Sequence, residues 1–277
     1  MVIEVLALES IAQGSTCPYT RYFCFFLLLQ TYSRARYNDI ARERFIIIDL
    51  VEDGSGYLEI SVREAKTQRS AEARTTFLPT VSPAVGVSQF RWAMAFLEER
   101  TAQGLDEFCL MPTPAVQGGW HDSPLEINSA NKWLRDIMAS AGFTNLDLLG
   151  THTCKVTGLS WLAKYNADLQ TRALLGYHLL KDFGSTLTYS RDAMSGPLRV
   201  FDKLLSDIRS KTFAPDVTRS GRLLTSCTTA KRQRQAPLAE SFSECQPLIV
   251  TEDGYEMPLI PDTAEFLEQI LPEKDDA

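Results

Sequence analysis

The stretch LLGTHTCKVTGLSWLAKYNADLQTRALLGYHLLKDFGSTLTYSRD, Leu148 to Asp192, holds two of the chain's three histidines and a tyrosine framed as Thr186-Leu187-Thr188-Tyr189-Ser190-Arg191-Asp192. His152 and Lys155 stand three residues apart. On a helix beginning after Thr151 their side chains leave the same face and can converge on a small, phosphate-sized anion. Val156, Leu159, Leu162 and Ala163 continue at helical spacing and are expected to seat that face on a packed core. Asp168 has the residue type and position of an N-cap, opening a short helix that carries Leu169, Leu174 and Leu175 and is stopped by Gly176. Tyr177 and His178, a turn at Gly184, and Tyr189 follow. A phenol ionises near 10, so tyrosine is a poor nucleophile at neutral pH. Chemistry at Tyr189 needs cationic and hydrogen-bonding neighbours that favour its phenolate and the charge built up on its target.

Upstream, Tyr19 to Arg44 reads as a helix, aromatic and leucine-rich at first and polar from Gln30 to Arg36. It contains Arg36-Tyr37-Asn38-Asp39-Ile40, an arginine followed three and four residues later by an acid and an aliphatic side chain; Arg34 is the alternate. Taken alone, so short a pattern is what a solvated arginine on an amphipathic helix leaves. Phe45 to Leu50, Tyr57 to Arg63 and Arg74 to Pro79 read as three short strands, with Gly54-Ser55-Gly56 turning the first pair. Tyr57, Glu59 and Ser61 alternate with Leu58, Ile60 and Val62, the period of a half-buried sheet. The polar connection Glu64 to Ala73 carries Lys66-Thr67, by itself an ordinary surface dipeptide. Val87 to Ala102 reads as a helix with Phe90, Ala93, Met94 and Leu97 inward, and Glu107 to Trp120 as a loop punctuated by proline and glycine. Asn128 to Ala141 and Pro197 to Ile208 are amphipathic helices, the first with Trp133, Ile137 and Met138 on its apolar side. Trp120, Trp133 and Trp161 are expected in the core, and His121, in a loop, has no assigned role.

In chain order the chemistry-bearing residues are Arg36, Lys66, His152, Lys155, the Tyr177/His178 pair and Tyr189. The order His-x-x-basic, then Leu-Gly followed by an aromatic or His, then Thr-x-x-Tyr resembles the C-terminal catalytic boxes of the tyrosine recombinases, or phage-type integrases. Within them it is similar to the divergent eukaryotic, transposon-derived members. The likeness runs roughly from Tyr19 to Ser210.

The resemblance implies an α+β, mainly helical catalytic domain with a small three-stranded antiparallel sheet carrying Lys66. It implies double-stranded DNA as partner, self-association on that DNA, and no metal or nucleotide cofactor. Tyr189 would attack a scissile phosphate and form a 3′-phosphotyrosyl link while a 5′-hydroxyl leaves. Arg36 and Lys155 would neutralise the nonbridging oxygens, Lys66 would protonate the leaving oxygen, and His152 would exchange a proton with Tyr189. His178 falls in the same catalytic set, and Arg34, Tyr177 and Arg191 would contact the substrate. The chain departs from the family's pattern in four places. Lys155 stands where arginine is usual, keeping the charge but not the planar two-pronged grip on phosphate. Tyr177 follows Leu175-Gly176 where histidine or tryptophan is usual, with His178 one place later. The interval from there to Tyr189 is longer than is typical, and the first 18 residues leave no room for the family's N-terminal DNA-clasping domain. Two readings stay open: a DNA strand-exchange enzyme, and a transposon-derived protein that holds DNA or a partner without cutting.

At 277 residues and 44% hydrophobic, the chain can bury one large core or two modest ones. Its net charge of −7 argues against a nucleic-acid binder until the distribution is considered. After Gln235 come eleven acidic residues and one basic residue, Lys274, which leaves 27 basic and 24 acidic residues in the first 235. The body is mildly basic and the acidity sits in a tail. Expected organisation is therefore an N-terminal segment (1–18), a recombinase-like domain (19–210), and a basic linker with an acidic, largely disordered tail (211–277). The six cysteines lack CxxC or Cys/His ligand spacing, which indicates neither a disulfide framework nor a zinc site. The longest apolar run, Tyr22 to Leu29, is too short to cross a bilayer. No membrane partner is expected, and the location is expected to be intracellular, nuclear in a eukaryote.

Overall fold

The computed structural model of the chain describes residues 1–62, 79–178, 193–217 and 221, and the backbone of two paired strands, Ile249–Val250 and Glu256–Met257. About half of the described residues are helical, and the architecture is mixed α+β.

The core is built around one helix. α2 (Pro18–Ser33) is apolar around its whole circumference from Tyr22 to Leu29, so beyond its first turn it is buried on every side. Every residue from Tyr22 to Ala35 is buried. α1 (Val2–Gly14) lies along it and inserts Val5, Leu8, Ile11 and Ala12 into the same cluster. The first 18 residues thus share one core with the rest of the described body. The helix expected to continue to Arg44 stops at Ser33, because Arg34 takes the left-handed conformation at φ 58° and turns its side chain inward. Arg36 then caps α3 (Tyr37–Ile40).

β1 (Ile46–Leu50), β2 (Gly56–Ile60) and β3 (Thr80–Pro83) form an antiparallel sheet in that order, with Ile48 opposite Leu58 and Leu58 opposite Ser82. Gly56, at φ 124°, is required by the turn between the first two, since a Cβ there would lie 2.1 Å from the Asp49 carbonyl oxygen. The second strand ends at Ile60, three residues short of the expected Arg63, and the third, Thr80–Pro83, lies just beyond the range Arg74 to Pro79 that its sequence pattern suggests. Most of the expected third strand, Arg74 to Leu78, and the connection bearing Lys66 lie outside the described residues.

The helix expected from Val87 starts only at Trp92 (α4, Trp92–Ala102) and turns Trp92, Ala93, Phe96 and Arg100 inward. Val87 and Ser88, the first two residues of the expected helix, instead bond a buried carboxylate. Glu9 accepts the N–H of Val87 at 2.8 Å and of Ser88 at 2.9 Å, and the Tyr32 hydroxyl donates to it as well. Burial pushes the Glu9 carboxyl up in pKa against these donors. Gly86 makes the approach possible: a Cβ there would stand 1.8 Å from Glu9 Oε1. Gly86→Ala is therefore expected to destabilise the chain by about 2–3 kcal/mol, by steric overlap and by disturbing the buried carboxylate's bonds. The urea midpoint reads this directly; an unchanged midpoint would show that the loop accommodates the methyl group.

The stretch expected as a loop after Glu107 contains a hairpin of β4 (Pro112–Pro114) and β5 (Trp120–Pro124). Glu126 caps α5 (Ile127–Ser140), whose Trp133, Ile137 and Met138 are buried as expected, with Trp133 stacked on Phe23 at 4.3 Å. Trp161 is also buried, while Trp120 is half-buried against Tyr19 and Tyr22. α6 (Thr151–Lys164), α7 (Leu169–Leu175) and α8 (Ser195–Arg209) complete the described body. α8 buries Leu198, Phe201, Leu204, Leu205 and Ile208, the face its spacing indicates. α6 does not: Val156 and Ala163 are exposed, and its inner face runs through Thr151, Cys154, Lys155, Gly158, Trp161 and Leu162.

Candidate functional site

Lys155 sits on the buried side of α6, where only 5% of it is exposed. His152, three residues earlier, is about 60° away around the helix and is exposed. The two therefore share an edge: the lysine on its core side, the histidine on its solvent side. The start of α6 is fixed from outside, by Asn131 Oδ1 accepting the Thr151 N–H and by Gln30 Nε2 donating to the Thr151 carbonyl, both at 2.8 Å.

α7 presents its C-terminal end to this lysine. Asp168 caps the other end by accepting the Thr171 N–H at 2.8 Å. At the C-terminal end the Tyr177 N–H returns to the Leu174 carbonyl and the His178 N–H to the Ala173 carbonyl, the paired bonds of a Schellman motif. The left-handed position of that motif falls on Tyr177 (φ 59°), not on Gly176. A side chain there costs about 1–2 kcal/mol of backbone strain. It is held by the Tyr177 hydroxyl, which donates to the Ser33 carbonyl at the end of α2 at 2.5 Å. Burial raises the phenol's pKa. Tyr177, expected at the substrate, is thus a tie between two helix ends, and the turn it makes leaves His178 exposed beyond it.

Arg34, the other residue expected at the substrate, is also placed elsewhere. It is fully buried. Nε donates to the Leu175 carbonyl and Nη2 to the Val81 carbonyl, both at 3.1 Å, and Nη1 donates to the Tyr32 carbonyl. Its guanidinium carbon lies 4.3 Å from the centre of the Phe201 ring. Burial lowers its pKa, and what the cation gains is the set of orphan carbonyls at the ends of α2 and α7. Gly158 clears the space, since a Cβ there would stand 2.9 Å from Arg34 Cγ.

With Arg34 inside, the basic residue near the surface is Arg36, whose side chain is 31% exposed and lies 3.8 Å from Asp39. Arg36 acts electrostatically on Lys155. The Lys155 amine is lowered from the usual 10.5 to about 8, first by burial and then by Arg36, with Arg34 adding and Asp39 opposing. The Lys155 ammonium donates to the Gly176 carbonyl at 3.2 Å and lies 5.8 Å from the centre of the Tyr177 ring. His178 is pushed below its ordinary value by burial, then by Lys155 and Arg36. Folding therefore brings Arg36, Lys155 and His178 together from the ends of α2, α6 and α7, with His152 on the adjoining edge. Because Lys155 is depressed relative to the unfolded chain, its burial opposes folding below pH 8. That opposition is relieved as pH rises from about 8 to 10.5.

Lys66, Tyr189 and Arg191 lie outside the described residues. Sequence reasoning missed Gln30 and Gly158, which hold α6 in place; a glycine in the middle of an amphipathic helix is the signal that could have marked the second. Among the described residues, no three His, Cys, Asp or Glu side chains cluster as metal ligands, and no helix is long and apolar enough to cross a membrane. No protein-family model matches the chain, and no curated protein matches it in sequence.

Proposed function

We propose that the chain is a DNA strand-cleaving and rejoining protein of the tyrosine-recombinase type, with Arg36, Lys155 and His178 forming its phosphate-binding surface. The supporting observation is that three residues far apart in the sequence, near the ends of three helices, act on one another electrostatically: Arg36 on Lys155, and both on His178. A phosphodiester with a five-coordinate transition state is the substrate such a surface suits, because added negative charge on the nonbridging oxygens meets fixed positive charge. In this reaction the Tyr189 oxygen attacks phosphorus and its proton passes to His152. The bond from phosphorus to the 5′ oxygen breaks, and that oxygen takes a proton from Lys66. The phosphotyrosyl bond conserves the energy of the broken phosphodiester, so a 5′-hydroxyl rejoins the strand without ATP.

Cleavage of a nicked duplex tests the reading. Arg36→Ala is expected to lower the cleavage rate roughly 10²- to 10³-fold, the usual effect of removing one transition-state donor; an unchanged rate would remove the cluster from the reaction. The pH profile isolates Lys155. Its amine is half deprotonated near pH 8, so kcat/KM is expected to fall as pH rises through that value. The Lys155→Arg variant is expected to lose that limb, since guanidinium stays charged. A second reading, a protein that binds DNA without cutting, is favoured by one observation: the Lys155 ammonium is already committed to the Gly176 carbonyl. Retention of duplex DNA with no cleavage at any pH would support it.

A further inference from the structure

β1 is an edge strand of the three-stranded sheet among the described residues, with β2 on one side of it. Natural edge strands are usually blunted by lysine, proline or a covering element. Here Phe45, Ile47, Ile48 and Val51 are each more than half exposed, within a run of five residues and its two flanks. Isolated exposed leucines and valines mean little, but contiguous apolar side chains along an edge mark a surface that is covered in use. The charges around the run say by what. Arg42, Glu43 and Arg44 precede it, a net charge of +1, and Asp49, Glu52 and Asp53 stand at and beyond its far end, a net charge of −3. Glu43 is half-buried and has an interaction of its own, Arg44 is paired with Asp122 at 2.7 Å, and the Asp53 carboxylate accepts the Ser55 N–H, which leaves Arg42 at one end and Asp49 and Glu52 toward the other as the exposed charges.

A strand that runs from basic through apolar to acidic is complementary to itself when two copies are laid antiparallel. Each basic end then faces the acidic end of the other copy, and apolar side chains meet in the middle. We propose that β1 is a dimer interface, through which two copies of the chain join edge to edge about a two-fold axis into one continuous sheet. The contact is isologous, so each copy supplies the same strand and each pair of facing ends occurs twice. It is independent of the cleavage reading and needs no DNA.

Sedimentation of the full chain without DNA tests this, with circular dichroism confirming that each variant is folded. The wild type is expected to sediment as a dimer at micromolar concentration, and Ile48→Lys as a monomer, because a charge at an exposed edge position blocks pairing. Arg42→Glu and Glu52→Arg are each expected to weaken the dimer roughly tenfold by placing like charges opposite one another. Mixing these two variants is expected to restore it, since every facing end is then of opposite sign. A monomeric wild type, a dimer that survives Ile48→Lys, or a mixture no tighter than its components would overturn the proposal.

Discussion

Replacing Arg34 with methionine is expected to cost about 3–5 kcal/mol of stability, the range for removing one partner from a buried charged network. The side chain is wholly buried and donates to the carbonyls of Tyr32, Val81 and Leu175, which come from α2, β3 and α7. Methionine fills the stem of the site but leaves these acceptors without donors, and an unsatisfied buried carbonyl costs about 1–3 kcal/mol. Arg34→Lys is not expected to restore stability. A single ammonium cannot reach three acceptors spread around a planar fork, and it gives up the stacking on Phe201. Urea unfolding followed by circular dichroism measures both variants. A methionine variant within about 1 kcal/mol of the wild type would show that Arg34 is not the junction of these elements.

The same residue shows where sequence reading succeeded and where it stopped. The apolar periodicity of α5 and α8 is strong enough to give both their extent and their buried faces, down to Trp133 and Phe201. The alternation around Leu58 and Ile60 marks the sheet. What was not legible was the single residue on which α2 ends. Arg34 and Arg36 differ by two positions in a polar stretch, and nothing local says that the first turns inward and the second outward. That choice is made by carbonyls far along the chain, at Leu175 and Val81, together with the space left by Gly158.

α6 shows a similar limit. Lys155 looks like part of a polar edge above an apolar floor, yet it lies on the floor itself, because the end of α7 offers it the Gly176 carbonyl. Long-range partners of this kind leave no periodic trace. The start of α4 was misplaced for the same reason: Val87 and Ser88 are held by Glu9, on another helix. Arg36, Lys155 and His178 were singled out in the sequence by the order of short motifs and not by any pattern of burial.

The second large effect concerns Tyr189. If the Arg36–Lys155–His178 surface serves phosphoryl transfer to tyrosine, replacing the phenol by phenyl removes the attacking oxygen altogether. Loss is then complete, not graded, in contrast to the partial losses expected at Arg36 and Lys155. Folding and DNA retention should be untouched in Tyr189→Phe, since only one oxygen atom is lost. A variant that also loses DNA binding would point to a positioning role for the hydroxyl instead of nucleophilic attack.

The most direct measurement is a denaturing gel of the wild-type chain incubated with a labelled pool of nicked DNA duplexes, beside Tyr189→Phe. A nick near the attacked phosphate lets a short leaving strand diffuse away, so a covalent intermediate accumulates. The expected result is a band of labelled DNA that migrates with the wild-type protein under denaturing conditions, disappears on protease treatment and is missing from the Tyr189→Phe lane. Contradiction would come from wild-type chain that retains duplex DNA on a native gel yet forms no such band, or from a band of equal strength with Tyr189→Phe.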